Sequence, residues 1–333
     1  MFLAPLNYDR FFKKVFSDRD IAKRFIEDIL DTSIDHIEPL SEKHKVTDDA
    51  AAIEFDYRCK IGNQYIVVDM QQWYKPDIVK RFYLYHCVSS ALQLSMIPSK
   101  SLSPDNKIMK QVKDYRKLEP VVTIVWLVDE TLGTEEDFLT YILTPEVLTD
   151  YVQKEELWHS KNVNELLAQR TKMLALLNNR TKNLDFLAQN KLIFTFQKNI
   201  VRGDKVKRYV NWYTFAEKTR NEENIETDFT EYSDDKIFAE IMRRINTKNL
   251  VNEDYTYIKD FRLYAEEHKR WEEGVREEGI EIGVEKGIEK GIEKGVGLVI
   301  RNVILKNPEK PDKEVADMLG VSVEIVAQVR SSV

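Results

Sequence analysis

IEFDYRCKI (53–61) and YIVVDMQ (65–71) are separated by a turn centred on Gly62-Asn63. The first segment alternates apolar and polar residues, which is typical of a strand with two different faces. A Gly-Asn pair between two such segments predicts a two-residue hairpin turn. The register of that hairpin places Asp56 directly opposite Asp69.

Two carboxylates in facing positions require an explanation. The Cβ atoms of facing residues are ~4.5–5.5 Å apart, and like charges at that distance destabilise a strand pair. The pair therefore indicates either a shared proton or a bound cation. The pattern also fits a solvated hairpin without a metal, in which Arg58 and Lys60 on the same face neutralise the acids. In the same register, Glu54 is predicted to face Gln71.

Composition limits the class of protein. A chain of 333 residues predicts about two domains, and 43% apolar with 32% charged residues indicates a soluble globular protein. We find no apolar run near the ~18 residues of a membrane span, and the charged residues near the start are not typical of a secretory leader. With only Cys59 and Cys87, the sequence favours a reducing, cytoplasmic location.

The charge is distributed unevenly. The net charge is −7, but residues 75–120 contain nine Lys and Arg against four Asp and Glu. Four lysines there recur at helical spacing and predict the basic face of a helix: Lys107, Lys110, Lys113 and Lys117. Such a face could contact DNA phosphates, which supply most non-specific affinity. A solvated helix face explains the same pattern.

The order of the remaining elements predicts an α/β fold. Apolar spacing predicts a helix over 8–30. A second helix over 77–96 begins after Pro76 with Asp77 as its N-cap and carries Lys80, Arg81 and Tyr85. Further segments are a strand buried on both faces, a mainly helical stretch and another strand, at 121–128, 135–183 and 192–196.

Glycine recurs at every fourth position between residues 279 and 295, in units of Gly-(Ile/Val)-Glu-Lys. Each glycine in a helix interior costs ~1 kcal/mol relative to alanine. We therefore expect this segment to be helical only when packed against a partner. Small residues at this spacing allow close approach of two helices, which suggests a homo-oligomer, whereas a repeat without an interface suggests a linker.

Residues 311–330 are typical of a helix–turn–helix, with Gly320 at the turn and Ser322 as the cap of the second helix. That second helix carries Glu324 and, as its only base, Arg330. Because this offers little chemistry for reading bases, a packed helical hairpin is favoured over a DNA-reading element.

Several of these segments together resemble the Rpn-type recombination-promoting nucleases and transposases of the PD-(D/E)XK superfamily. The opening YDRFFKKVF is similar to the family's first helix, and DYRKLEPVV is similar to its Tyr-x-x-Leu-x-Pro segment before a core strand. Asp56 and Asp69-Met70-Gln71 resemble its split motif of Asp and Glu-x-Gln. The Gly-x-x-x-Gly tail is also typical of such proteins.

The resemblance implies an αβββαβ core of the restriction-endonuclease type, with a helical C-terminal region. It implies a DNA endonuclease in which Asp56 and Asp69 bind Mg²⁺, or Mn²⁺ in its place. Gln71 would stand where the superfamily has a lysine, and Asp9 would be a third, helix-borne catalytic acid. The bases predicted to contact DNA are Lys80, Arg81, Lys107, Lys110, Lys113 and Lys117.

The sequence departs from the family in two places. Asp69 stands where glutamate is usual, so strand position or a bridging water must compensate for the shorter side chain. Alanines occupy 50–52, where a lysine is frequent. An alternative function is therefore a catalytically weakened DNA-binding or self-associating protein that retains the fold. A third possibility is a helical interaction protein without a nucleic-acid role.

Four regions are expected along the chain. They are a nuclease-like domain, a helical region, the glycine-repeat helix or linker, and the C-terminal helical hairpin, at 1–210, 211–272, 273–298 and 299–333.

Overall fold

A six-stranded sheet contains the predicted hairpin in the computed structural model, which describes residues 1–45, 52–102, 110–159 and 161–331. The chain divides into two compact units, Met1–Tyr255 and Thr256–Val333. The first unit is mixed α/β. It includes residues 211–255 of the predicted helical region.

Strands and helices alternate along much of the first unit. The strands are β1 (Glu38–Pro39), β2 (Lys43–His44), β3 (Ile53–Glu54), β4 (Tyr57–Ile61), β5 (Gln64–Gln71), β6 (Ser99–Leu102), β7 (Lys110–Lys113), β8 (Val121–Leu127), β9 (Phe138–Ile142) and β10 (Lys191–Phe196). The α-helices are α1 (Asp9–Phe16), α2 (Arg19–Leu30), α3 (Ile78–Leu92), α4 (Glu146–Gln153), α5 (Glu155–Trp158), α6 (Val163–Leu177), α7 (Asp185–Gln189), α8 (Gln197–Arg202), α9 (Val210–Arg220), α10 (Lys236–Ile245), α11 (Asn252–Lys306), α12 (Asp312–Leu319) and α13 (Val323–Arg330).

The main sheet has the strand order β1-β4-β5-β8-β10-β9. Strands β5, β8 and β10 are parallel, whereas β1, β4 and β9 run antiparallel to their neighbours. All seven residues of β8 are buried, which confirms the strand predicted there from a continuous apolar run. The strand predicted at 192–196 is confirmed as β10.

The hairpin register is confirmed. Facing pairs run from Ile61 with Gln64 to Tyr57 with Val68, so the next positions outward are Asp56 and Asp69. Gly62 has a φ of +52°, a left-handed conformation that glycine adopts without steric cost. The turn residue and the alternation of the strands together determined the register.

The prediction of one continuous strand over 53–61 was wrong. β4 begins only at Tyr57, and β3 belongs to a separate two-stranded ladder in which Glu54 faces Lys43 rather than Gln71. The N–H of Phe55 donates to the carbonyl of Glu42 at 3.0 Å. Phe55 thus bonds to the segment beside β2 and not to β5. The alternation of apolar and polar residues in the sequence continues through this break between β3 and β4, so it did not reveal the break.

One face of the sheet packs on an aromatic core. Trp126 of β8 packs with Phe12 of α1 and Phe25 of α2, at ring-centroid distances of 5.9 and 5.6 Å, and with Tyr213 of α9 at 4.4 Å. The helix predicted over 8–30 is in fact two helices. Asp18 separates them, because its side chain accepts hydrogen bonds from the first N–H groups of α2.

The opposite face is covered by α3. Its Ile78 and Phe82 are buried against Val125 and Phe194 of the sheet. The helix ends at Leu92 and is followed by a 3-10 turn, so it is shorter than the predicted 77–96. Asp77 is at the N-cap position, but its side chain caps no N–H within the described part of the chain.

The predicted basic helix does not form in the described residues. Lys110 and Lys113 are the ends of β7, which pairs with β6, and Lys117 closes a 3-10 turn. The helical period on which the prediction of one basic face depended is therefore absent from these described residues. Lys107 lies outside the described residues.

The stretch predicted as mainly helical over 135–183 begins instead with a strand, β9, at the edge of the sheet. Its pairing with β10 determines its conformation. The spacing of apolar residues along a short segment does not indicate such pairing between distant parts of the chain. Pro145, three residues after the end of β9, is at the N-cap position of α4.

The second unit contains most of α11 and the predicted C-terminal hairpin. Ser322 caps α13, and Gly320 ends α12 with a φ of +65°. The three helices pack around one buried apolar cluster, formed by Ile300, Ile304, Val315, Ala316 and Val326. The packed hairpin predicted for 311–330 is therefore confirmed.

The glycine repeat lies inside α11, which is helical without interruption. Ile280, Val284 and Ile288 are each more than half exposed. These three side chains are therefore not packed on the last helices of their own chain, and packing on a second copy stays a prediction. Within the described residues, no helix is both long and apolar enough to cross a membrane.

Candidate active site

Asp56 and Asp69 meet where the β4–β5 ladder ends. The N–H of Asp56 donates to Asp69 Oδ1 at 3.2 Å, and the N–H of Met70 donates to Asp56 Oδ2 at 2.8 Å. Each carboxylate is therefore tied to the backbone of the opposite strand. These bonds replace the backbone ladder at the point where the chain bends away toward β3.

The position of the pair follows from the sheet topology. Asp69 is opposite Val125 of β8 and lies near the carboxyl end of two parallel strands. Val125 packs under α3, so the Asp69 side chain lies on that same face. Asp56 is 9% exposed and Asp69 is 3% exposed. Both side chains are thus almost completely buried near the strand ends.

Gln71 is two residues beyond Asp69 and points to the same face. Its Oε1 accepts a hydrogen bond from Arg81 of α3, and its Nε2 donates to the carbonyl of Trp73 at 2.8 Å. Both ends of the amide are therefore held. The guanidinium of Arg81 therefore places a positive charge on the side of the site that faces α3.

The helix α1 contributes a second group of side chains. Lys13 Nζ is 3.5 Å from Asp56 Oδ1, 3.2 Å from Asp9 Oδ1 and 3.0 Å from Glu54 Oε1. Asp9 and Lys13 are one helical turn apart and share a face. The predicted helix-borne acid, Asp9, is therefore linked to the strand pair through Lys13.

Burial and mutual repulsion change the ionisation of these acids. Burial raises the pKa of Asp56 to about 7, and the Asp9 carboxylate adds to this while the Met70 N–H and Lys13 oppose it. Burial, followed by the charge of Asp56, raises the pKa of Asp69 well above its ordinary value. Without a further cation, full ionisation of both strand acids near neutral pH is unfavourable.

Lys13 remains charged. Burial favours its neutral form, but hydrogen bonds and charges from Glu54, Asp56 and Asp9 outweigh this and raise its pKa above the ordinary value. The ammonium group is therefore a permanent positive charge beside Asp56.

Two buried atoms of the site, Asp69 Oδ2 and Arg81 Nε, have no hydrogen-bond partner among the described residues. Such an oxygen atom is costly unless a proton or cation meets it. Within the described ranges, no group of three or more His, Cys, Asp or Glu side chains has a metal-binding arrangement. Two carboxylates suffice for Mg²⁺, which usually keeps several waters.

The predicted DNA-contacting bases fall into two places. Lys80 and Arg81 lie on α3, the helix that covers the acids, and Lys80 is exposed. Lys117 is exposed just before β8 begins, at the other end of that strand from Asp69. Lys113 Nζ donates to the carbonyl of Ile97 at 2.6 Å.

The bases proposed to neutralise the acid pair do not do so. Arg58 is fully buried, and its guanidinium contacts Ser89 and His44. Lys60 pairs with Glu119 at 2.7 Å. The alternation within the hairpin placed both bases on the correct strand but did not show that other elements take them as partners.

Sequence reasoning missed two members of the site, Lys13 and Glu54. The signal for Lys13 was present, because it follows Asp9 by one helical turn in the family-like opening helix. Glu54 joins the cluster only because the chain breaks before β4, which no local pattern indicated.

No protein-family model, no curated protein and no solved structure matches this chain. The resemblance to the Rpn-type nucleases therefore rests on the residues themselves.

Proposed function

We propose that this protein is a metal-dependent DNA endonuclease with a PD-(D/E)XK core. The observation that carries the proposal is the meeting of Asp56 and Asp69 near the carboxyl end of β5, where a buried oxygen of Asp69 has no hydrogen-bond partner among the described residues. The order of elements supports it, since α1 and α2, β1, β4 and β5, then α3 and β8 follow the αβββαβ pattern.

The ligands of Mg²⁺, or of Mn²⁺ in its place, would be Asp56 and Asp69. When bound, such an ion lowers the pKa of a coordinated water and neutralises charge that develops on the scissile phosphate. Asp69 contributes the oxygen that lacks a partner, and Asp56 contributes the oxygen that faces Lys13. Their backbone hydrogen bonds hold both carboxylates in position before any ligand arrives.

Gln71 has the role of an oriented neutral group. Arg81 and the Trp73 carbonyl determine the direction of its amide, so it can position a water by hydrogen bonding. As an amide it cannot supply the positive charge of the superfamily's lysine. Arg81, which contacts Gln71, and Lys13, which contacts Asp56, supply the positive charge instead.

A second candidate function is that of a DNA-binding or self-associating protein that retains this core without cleaving. It is favoured by the backbone hydrogen bonds of both acids, since a carboxylate that ends a strand ladder has a structural role of its own. Asp69 in place of the usual glutamate favours it as well.

Plasmid cleavage separates the two functions. Purified protein is incubated with supercoiled DNA in Mg²⁺, Mn²⁺ or EDTA, beside Asp56→Asn and Asp69→Asn. Asp20→Asn, in an exposed acid of α2, is the matched control. Metal-dependent nicking that both site variants lose and the control keeps supports the nuclease. Cleavage that is equal in all four proteins, or DNA binding without cleavage by the folded wild type, contradicts it.

A further inference from the structure

Lys13 is held by the same carboxylates that form the proposed metal site. Three carboxylates lie within 3.5 Å of its ammonium nitrogen, and one of them is Asp56. An ammonium group surrounded in this way neutralises the cluster much as a bound metal would. The protein therefore contains a cation of its own beside the strand acids.

The ammonium group of Lys13 can move away from Asp56, whereas helix α1 itself is fixed in place. Phe11, Phe12, Val15 and Phe16 fix α1 in the core, so a shift of the helix would disturb the aromatic packing. The side chain of Lys13 is 30% exposed, and its flexible four-carbon stem lets the ammonium turn toward solvent. Asp9 and Glu54 are exposed and can keep the ammonium when Asp56 is released.

We propose that Lys13 is a positioning residue that competes with the divalent metal for the carboxylate of Asp56. This inference rests on the proposed function. In the metal-free protein, Lys13 holds Asp56 in place beside Asp69. Metal binding requires that the Lys13 ammonium moves off Asp56 Oδ1, so removal of the lysine strengthens metal binding although it removes a contact from the site.

The neighbouring Lys14 provides a matched control. It is on the same helix, but its ammonium contacts the buried carboxylate of Asp254 at 3.0 Å, which Arg10 also binds. Lys14→Gln therefore changes the net charge by the same amount as Lys13→Gln without touching the cluster at Asp56. Any general effect of lower net charge on metal affinity appears equally in both variants.

The test measures Mn²⁺ binding by the full chain, through electron paramagnetic resonance of the free ion, without DNA. Lys13→Gln is expected to lower the Mn²⁺ dissociation constant about tenfold, since a unit charge within a few ångströms of a bound ion is worth at least that much. Lys14→Gln is expected to leave it within about twofold. Lys13→Arg, which keeps the charge, should bind Mn²⁺ no more tightly than wild type.

Thermal melting supplies an independent readout. In EDTA, Lys13→Gln should melt below wild type, because the acids lose their internal cation. Added Mn²⁺ should then raise its melting temperature more than that of wild type, since tighter binding gives greater stabilisation. A Lys13 with a merely structural role would lower the melting temperature with and without metal by the same amount.

The outcomes distinguish this inference from the proposed function. Mn²⁺ binding that Asp69→Asn abolishes, but that is unchanged or weaker in Lys13→Gln, overturns competition and leaves the metal site in place. Binding by Lys13→Gln alone, with none by wild type, supports competition. If neither protein binds Mn²⁺, the metal site and the competition both fail. Should Lys13→Gln not fold, tighter binding by Lys13→Arg overturns the inference, and equal or weaker binding supports it.

Discussion

The carboxylate of Asp69 accepts a hydrogen bond from the N–H of Asp56, so the two acids are linked through backbone as well as charge. The link fixes their separation, and neither side chain can turn away to relieve repulsion. The repulsion between the carboxylates is then relieved by protonation of one acid or by a cation. Burial is the main reason why the pKa of both acids lies above the ordinary range; the charge of Asp56 raises the pKa of Asp69 further, whereas the hydrogen bond from the Asp56 N–H lowers it.

The metal-free protein should therefore lose stability as the pH rises. The folded-state pKa of Asp56 is about 7, above the unfolded value of ~3.9, so the folded state binds more protons between these values. Stability from this group is complete below the unfolded pKa and is lost as the pH rises through about 7. In EDTA, we expect the melting temperature to fall between pH 5 and pH 8.

Asp56→Asn provides the comparison for that experiment, because asparagine cannot ionise. Its melting temperature should depend less on pH than that of wild type, with the remaining slope due to Asp69 and other groups. Asp20→Asn should keep the wild-type slope. A wild-type melting temperature that rises over this range would show that the acid pair is ionised in the folded state.

The contact between Gln71 and Arg81 leads to a second expectation. Gln71→Lys installs the residue type usual in the superfamily, but it removes the acceptor for the Arg81 guanidinium and sets two cations together. We expect a loss of about 1–3 kcal/mol in the free energy of unfolding, as for other buried polar groups left unpaired. Urea titration in EDTA measures it.

Adding Arg81→Gln to Gln71→Lys should recover most of that loss, since the second cation is then gone. Lys80→Gln is the matched control, because Lys80 adjoins Arg81 but points to solvent. A coupling energy above about 0.5 kcal/mol is expected for residues in contact. Additive losses in the double variant would mean that Arg81 and Gln71 do not interact in solution.

Local signals in the sequence were enough to predict the hairpin. The turn residues and the alternation of β4 and β5 determined which acids meet, because both act over a few residues. The ammonium of Lys13 and the carboxylate of Glu54 reach the site through the docking of α1 and the break before β4. These depend on contacts across the fold, such as Phe55 with Glu42, and no local pattern contains them.

The basic helix shows the opposite case. Charged residues at helical spacing were taken as a helix, and the segment also has an apolar stripe at that spacing, Ile108, Val112, Tyr115 and Leu118. Helices in proteins gain most of their stability from such a stripe. Pairing of β7 with β6 supplies backbone hydrogen bonds instead, and the lysines follow the strand.

The separation of Lys80 from Lys117 gives a third test, on DNA. If DNA lies over the acids, Lys80 on α3 contacts phosphate and Lys117 at the far end of β8 does not. Lys80→Gln should then weaken binding to all sequences and reduce the slope of log affinity against log salt by about one, as expected for one lost phosphate contact. Lys117→Gln should change neither. Fluorescence anisotropy in EDTA at several salt concentrations measures both, and the reverse pattern would place DNA at the other end of the sheet.

The repeat in α11 has a geometry that bears on self-association. An α-helix turns about 100° per residue, so a step of four residues overshoots a full turn by about 40°. Over the four steps from Gly279 to Gly295, the glycine stripe and the apolar stripe beside it each wind about 160° around the helix. A straight partner helix could therefore contact only part of either stripe.

Replacing Gly283, Gly287 and Gly291 by alanine tests what the repeat does. A Cβ at each position meets nothing within 4 Å in the single chain, and alanine stabilises a helix interior by ~1 kcal/mol per site relative to glycine. We expect higher helical stability by circular dichroism and, because of the winding stripes, an unchanged mass by light scattering. If two copies of α11 pack closely through their glycines, the added methyl groups will instead separate them. A lower mass for the variant than for wild type would then identify the repeat as an oligomer interface.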